Sequence, residues 1–101
     1  MSDLYSSIEV LVVDDLATMR KIIKKILGQL EIKNIDEADD GTTAIPQLEG
    51  NTYDLVLVDW DLPKMNGLNL IKHIRSNEAT ESLPIIVVTA QDHKDKLSTA
   101  T

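Results

Sequence analysis

Four apolar residues, Val10-Leu11-Val12-Val13, run without interruption into the acids Asp14-Asp15, and Leu55-Val56-Leu57-Val58 run just as abruptly into Asp59. Short runs rich in branched side chains, with no polar residue alternating between them, read as strands buried on both faces. Two more segments fit the same description. Ile35 to Ala38 ends at the turn signal Asp39-Asp40-Gly41, and Ile85-Ile86-Val87-Val88 follows Pro84 and ends at Thr89.

Between the strands the apolar period changes to three and four. Met19, Ile22, Ile23, Ile26, Leu27 and Leu30 alternate with Arg20, Lys21, Lys24 and Lys25, which predicts an amphipathic helix over about 17–30, weakened in its last turn by Gly28. A brief helix is expected from Thr42, as N-cap, to about Glu49. Pro46 should shorten or distort it, because proline lacks a donor and crowds the preceding turn. Leu68, Ile71 and Ile74 mark a third helix over roughly 66–76, and Lys94 to Ala100 can start a fourth. Strands and helices in alternation, joined by short connections, imply an α/β fold with a parallel sheet covered on both faces. In such sheets ligands gather beyond the carboxyl ends of the strands, where Asp14, Asp15, Asp59 and Thr89 all fall.

The chain has 101 residues, 43% of them apolar, and reads as one domain spanning 1–101. Seventeen acidic residues against ten basic ones leave a net charge of −7, which argues against nucleic acid or an anionic membrane as partner. There is no cysteine, so disulfides and thiolate chemistry are excluded. No secretory leader pattern and no long apolar window stand out, so a soluble, cytoplasmic protein without membrane insertion is expected.

Converging acids need a reason. Two carboxylates about 4 Å apart repel by about 4 kcal/mol at an effective dielectric near 20, a large fraction of a small domain's stability. A hard divalent cation removes that cost, and oxygen ligands without nearby His or Cys favour Mg²⁺, with Mn²⁺ or Ca²⁺ as alternatives. The plainer reading is that Asp14 or Asp15 caps the following helix. Asp61 reads as loop chemistry before Pro63, and Thr89 alone as a strand-end hydroxyl. Met19 reads as core, His73 and His93 as surface groups, and the Lys/Arg face of the first helix as solvated. Trp60, the only tryptophan, adjoins Asp59 and offers a fluorescence reporter.

Taken together, VLVVDD, VDWDLPKMNG and IIVVTA resemble the receiver domain of bacterial two-component response regulators of the CheY-like, chemotaxis type. The resemblance runs from about Ile8 to Thr101 and implies a doubly wound, flavodoxin/CheY-like parallel sheet of order 2-1-3-4, lacking the family's fifth strand and helix. It implies that Asp59 is the phosphoacceptor for a sensor histidine kinase or a small acyl phosphate. Asp15, Asp59 and the backbone carbonyl of Asp61 would hold Mg²⁺, with Asp14 acting mainly through a water on the ion. Thr89 would contact the phosphoryl group and pass the change to a downstream protein target. Asp61 and Gln91 stand where family side chains tune the lifetime of the phosphorylated state. The protein would then be a switch that catalyses its own phosphorylation and dephosphorylation rather than an enzyme with turnover.

The family's lysine after the fifth strand and its aromatic switch residue have no counterpart, since Lys64, Lys94 and Lys96 lie in other loops. The fourth strand is then expected to be an exposed apolar edge that favours self-association. Two other readings compete with the switch. One is a receiver-like fragment that mediates protein contacts or self-association without phosphorylation. The other is a haloacid-dehalogenase-type phosphatase built on Asp59-x-Asp61, although such motifs usually follow the first strand and Pro63 breaks the pattern.

Overall fold

The computed structural model describes residues 7–60, 62 and 64–88. Along them run β1 (Glu9–Val13), α1 (Ala17–Gln29), β2 (Asn34–Ala38), α2 (Gly41–Gly50), β3 (Leu55–Asp59), α3 (Gly67–Ser76) and β4 (Ile85–Val88). The strands pair in parallel as one four-stranded sheet in the order β2-β1-β3-β4, as the resemblance implies. The helix expected over Lys94–Ala100 lies outside the described residues.

The unalternated run of β1 is explained by its position in the middle of two layers. Val10 and Val12 join Ile23, Leu27, Ile32 and Leu57 beneath α1. Leu11 and Val13 face the other way, onto Ala44 and Leu48 of α2 and Leu70 and Ile74 of α3. The four apolar β1 side chains, Val10 to Val13, are completely buried, a contribution of about 1.5–3 kcal/mol for each Val or Leu so placed.

The first helix buries less than its apolar stripe allows. Ile23 and Leu27 are in the core and Met19 packs half-buried against it, but Ile22, Ile26 and Leu30 remain about half exposed. Arg20 Nε and Lys24 Nζ each reach the Glu37 carboxylate on β2 at 2.9 Å. That basic face is therefore tied down on its β2 side rather than purely solvated. The helix closes with Ile32 N–H donating to Leu27 O at 3.0 Å and Glu31 N–H to Gly28 O at 2.9 Å. This paired closure needs a left-handed residue, and Glu31 supplies it with φ 66°.

The second helix starts earlier and runs further than expected. Asp40, not Thr42, is the N-cap: its side chain accepts from Thr42 N–H while Thr43 Oγ1 accepts from Asp40 N–H, a complete capping box. The helix continues through Pro46 to Gly50. Buried Ala44 and Leu48 flank the proline, and their packing holds the turn that lacks its donor. The third helix is capped by Asn66, whose side chain accepts from Asn69 N–H at 2.8 Å. Among the described residues, β4 pairs with β3 alone, and Ile86 and Val87 are about half exposed. No described helix is long and apolar enough to cross a membrane.

Candidate functional site

The carboxyl ends of β1 and β3 lie side by side, with Val13 in register with Val58. The acids that follow are thereby delivered to one edge. One carboxylate oxygen from each of Asp14, Asp15 and Asp59 lies within 4.8 Å of the others. Asp14 and Asp59 are buried, at 2% and 4% exposure, whereas Asp15 stands at the open side. Asp59 is the last residue of β3 and pairs in register with Val88, the last residue of β4.

Asp14 is held on every side. Its N–H donates to Ala38 O at 3.0 Å, extending the β1–β2 ladder by a rung, and its carbonyl accepts from Arg20 Nη1 at 2.6 Å. Its Oδ1 accepts from Leu16 N–H at 2.9 Å. The helix-cap reading of Asp14 and Asp15 fails here, because Leu16 is the N-cap of α1 and makes no side-chain cap bond. Burial pushes the Asp14 carboxyl above its ordinary range and the neighbouring Asp15 charge adds to this, while the Leu16 N–H and the Arg20 charge only partly offset them. The anion is thus uncomfortable on its own.

The chemistry of this donor set fits a hard dication. It consists of carboxylate oxygens alone, two of them desolvated, with no imidazole or thiolate in the cluster. Asp14, Asp15 and Asp59 are the residues that would hold Mg²⁺, and Asp15 is the exposed member of the three. Asp61, Thr89 and Gln91, the other expected site residues, lie outside the described residues.

Two residues bonded close to the site escaped the sequence reading. Arg20, assigned to a solvated face, ties the Asp14 backbone to Glu37; its partner is on a neighbouring strand, where helical periodicity gives no signal. Asp40, taken only as part of a turn, is 3% exposed and accepts bonds from two separate segments. The capping-box spacing from Asp40 to Thr43 was a signal that could have found it.

Residues 10–101 match the response regulator receiver domain family. The chain is 40% identical over 94 residues to chemotaxis protein CheY-3 of Vibrio cholerae, covering 93% of this chain and 72% of that protein. It is 43% identical over 89 residues to chemotaxis protein CheY of Pseudomonas aeruginosa, covering 88% and 72%. Among solved structures, it resembles response regulator protein TrrA from Thermotoga maritima in complex with Mg²⁺ and BeF, with a TM-score of 0.76 at 33% identity over 92% of this chain and 79% of that one. CheY4 of Vibrio cholerae aligns with a TM-score of 0.78 at 24% identity, over 90% and 75% of the two chains, a likeness of fold.

Proposed function

The chain belongs to the response regulator receiver domain family, and from that premise we propose that it is a chemotaxis-type phosphorelay switch whose acceptor is Asp59. The observation that carries this reading is the convergence of the Asp14, Asp15 and Asp59 carboxylates within 4.8 Å at adjoining strand ends. An Asp59 oxygen attacks the phosphorus of a phosphohistidine on a sensor kinase, or of a small acyl phosphate. The bond to the imidazole nitrogen or acyl oxygen breaks as the new P–O bond forms, and the leaving group departs with the electron pair. Mg²⁺ held by Asp14, Asp15 and Asp59 would supply positive charge to the transferring phosphoryl oxygens. Asp14 and Asp15 provide the anionic seat that makes such a cation bind there.

In this reading the Asp61 carbonyl completes the cation site, Thr89 contacts the phosphoryl group, and Asp61 and Gln91 set its lifetime. The whole of 1–101 serves as one receiver domain, working in the cytoplasm between a histidine kinase and a downstream protein target. Phosphorylation occurs once per signalling cycle, as a switch requires. The family match and the chemotaxis relatives favour the switch over both the phosphatase and the purely contact-making readings.

In the test, Asp59→Asn loses labelling by an acyl phosphate in the presence of Mg²⁺, and Trp60 fluorescence in the parent responds first to Mg²⁺ and then to beryllofluoride. Persistent labelling of the variant at the same site refutes the assignment. Self-association through β4 belongs to the same proposal, motivated by the exposure of Ile86 and Val87 on a strand that pairs, among the described residues, only with β3. Sedimentation should show a concentration-dependent dimer, and a single monomer species across a wide concentration range contradicts it.

A further inference from the structure

Asp40 does more than a helix cap needs. Its Oδ2 accepts from Thr42 N–H and from Thr42 Oγ1, each at 3.0 Å, in the first turn of α2. The same carboxylate also accepts from Lys64 N–H at 2.9 Å and from Met65 N–H at 3.2 and 3.3 Å to its two oxygens. Lys64 and Met65 belong to the segment that leaves β3 immediately beyond Asp59. That segment is closed at its far end by Gly67 N–H donating to Trp60 O at 3.0 Å, and Leu62 within it is buried. The approach between the two segments is close: a Cβ added to Gly41 would stand 2.9 Å from the Met65 side chain.

We propose that Asp40 is a positioning residue for phosphorylation: by holding the Lys64 and Met65 amides it fixes the path of the chain leaving Asp59, and with it the direction in which Asp59 presents its carboxylate to Asp14 and Asp15. This rests on the reading of Asp59 as the acceptor. Two facts set Asp40 apart from an ordinary cap. A cap requires one short acceptor over the first turn, whereas reaching a second segment takes both oxygens of a carboxylate. Asp40 is also nearly fully buried, so its carboxylate is satisfied by these donors rather than by solvent. Burial pushes the Asp40 carboxyl up, but the bonds donated by Thr42, Lys64 and Met65 outweigh it and hold the group below the usual carboxylate range, ionised at neutral pH.

The discriminating variant is Asp40→Ser. A serine hydroxyl still caps α2 but is too short to reach Lys64 and Met65. Tyr53→Phe is the companion control, since it removes a 2.6 Å bond to Asp36 that touches no site residue. The readouts are melting temperature, amide exchange at Lys64 and Met65, half-saturation by Mg²⁺ from Trp60 fluorescence, and the rate of acyl-phosphate labelling. At temperatures well below its own melting midpoint, Asp40→Ser is expected to exchange both amides about tenfold faster and to show Mg²⁺ half-saturation and labelling worse by about three- to tenfold, while the control keeps parental values. Parental Mg²⁺ response and labelling in Asp40→Ser overturn the positioning role. Unchanged exchange at the two amides overturns the clamp itself. A parent with no Mg²⁺ response overturns the Asp59 reading and the positioning role with it, while the exchange result still reports separately whether the clamp exists.

Discussion

At Gly67 there is no room for a side chain. A Cβ built there would lie 2.6 Å from the Asp59 carbonyl oxygen and 3.0 Å from Trp60 Cα, both backbone atoms that cannot rotate away. The first residue of α3 is thus pressed against the chain that carries the acceptor. Gly67→Ala should destabilise the domain by about 1–3 kcal/mol, the usual cost of overpacking, and should weaken Mg²⁺ binding because the relief of the clash displaces Asp59. Urea unfolding together with Trp60 titration checks this, and a variant with parental values in both contradicts it. The sequence made Asp14, Asp15 and Asp59 legible because an acid after an apolar run is conspicuous. It left Arg20 and Asp40 obscure, because what distinguishes them is a bond to a residue on another element.

Elements were most legible where burial is total and least where a terminus is decided by local bonding. The unbroken run of β1 predicted its own placement between two layers, and α1 was found from its period. Yet the six apolar positions of that period overstate its buried face, because the sheet covers only the side carrying Met19, Ile23 and Leu27 and leaves Ile22, Ile26 and Leu30 about half exposed. The start of α2 moved to Asp40 because a capping box outcompetes a single hydroxyl, and Pro46 proved compatible with a helix held by Ala44 and Leu48. Strand order came from family resemblance, since apolar period carries no information about which strands are neighbours. The end of α1 offers a prediction at this scale. Glu31 adopts φ 66°, a conformation in which its Cβ crowds the carbonyl. Glu31→Gly should therefore stabilise the domain by about 0.5–1 kcal/mol, the relief of strain exceeding the entropy lost by a freer unfolded chain. Thermal unfolding measures it, and a lowered midpoint contradicts the assignment.

For the whole molecule, a net charge of −7 and three acids gathered at one edge make the folded state costly to hold together unless a cation is present. A dication that binds the native pocket and not the unfolded chain stabilises by mass action, by about 2.7 kcal/mol at a hundred times its dissociation constant. Adding millimolar Mg²⁺ should accordingly raise the melting midpoint, chelation should reverse the rise, and Asp59→Asn should reduce it. An Mg²⁺-independent midpoint in the parent contradicts the pocket. The parallel pairing of β1 with β3 has a temporal meaning as well. Asp14 and Asp59 meet only after the intervening β2 and its two flanking helices have been looped out, a closure that costs about 3 kcal/mol in chain entropy. The pocket exists only once β1 and β3 have paired, so an ion seated there binds the folded chain and not the opened one, and its occupancy reports that pairing.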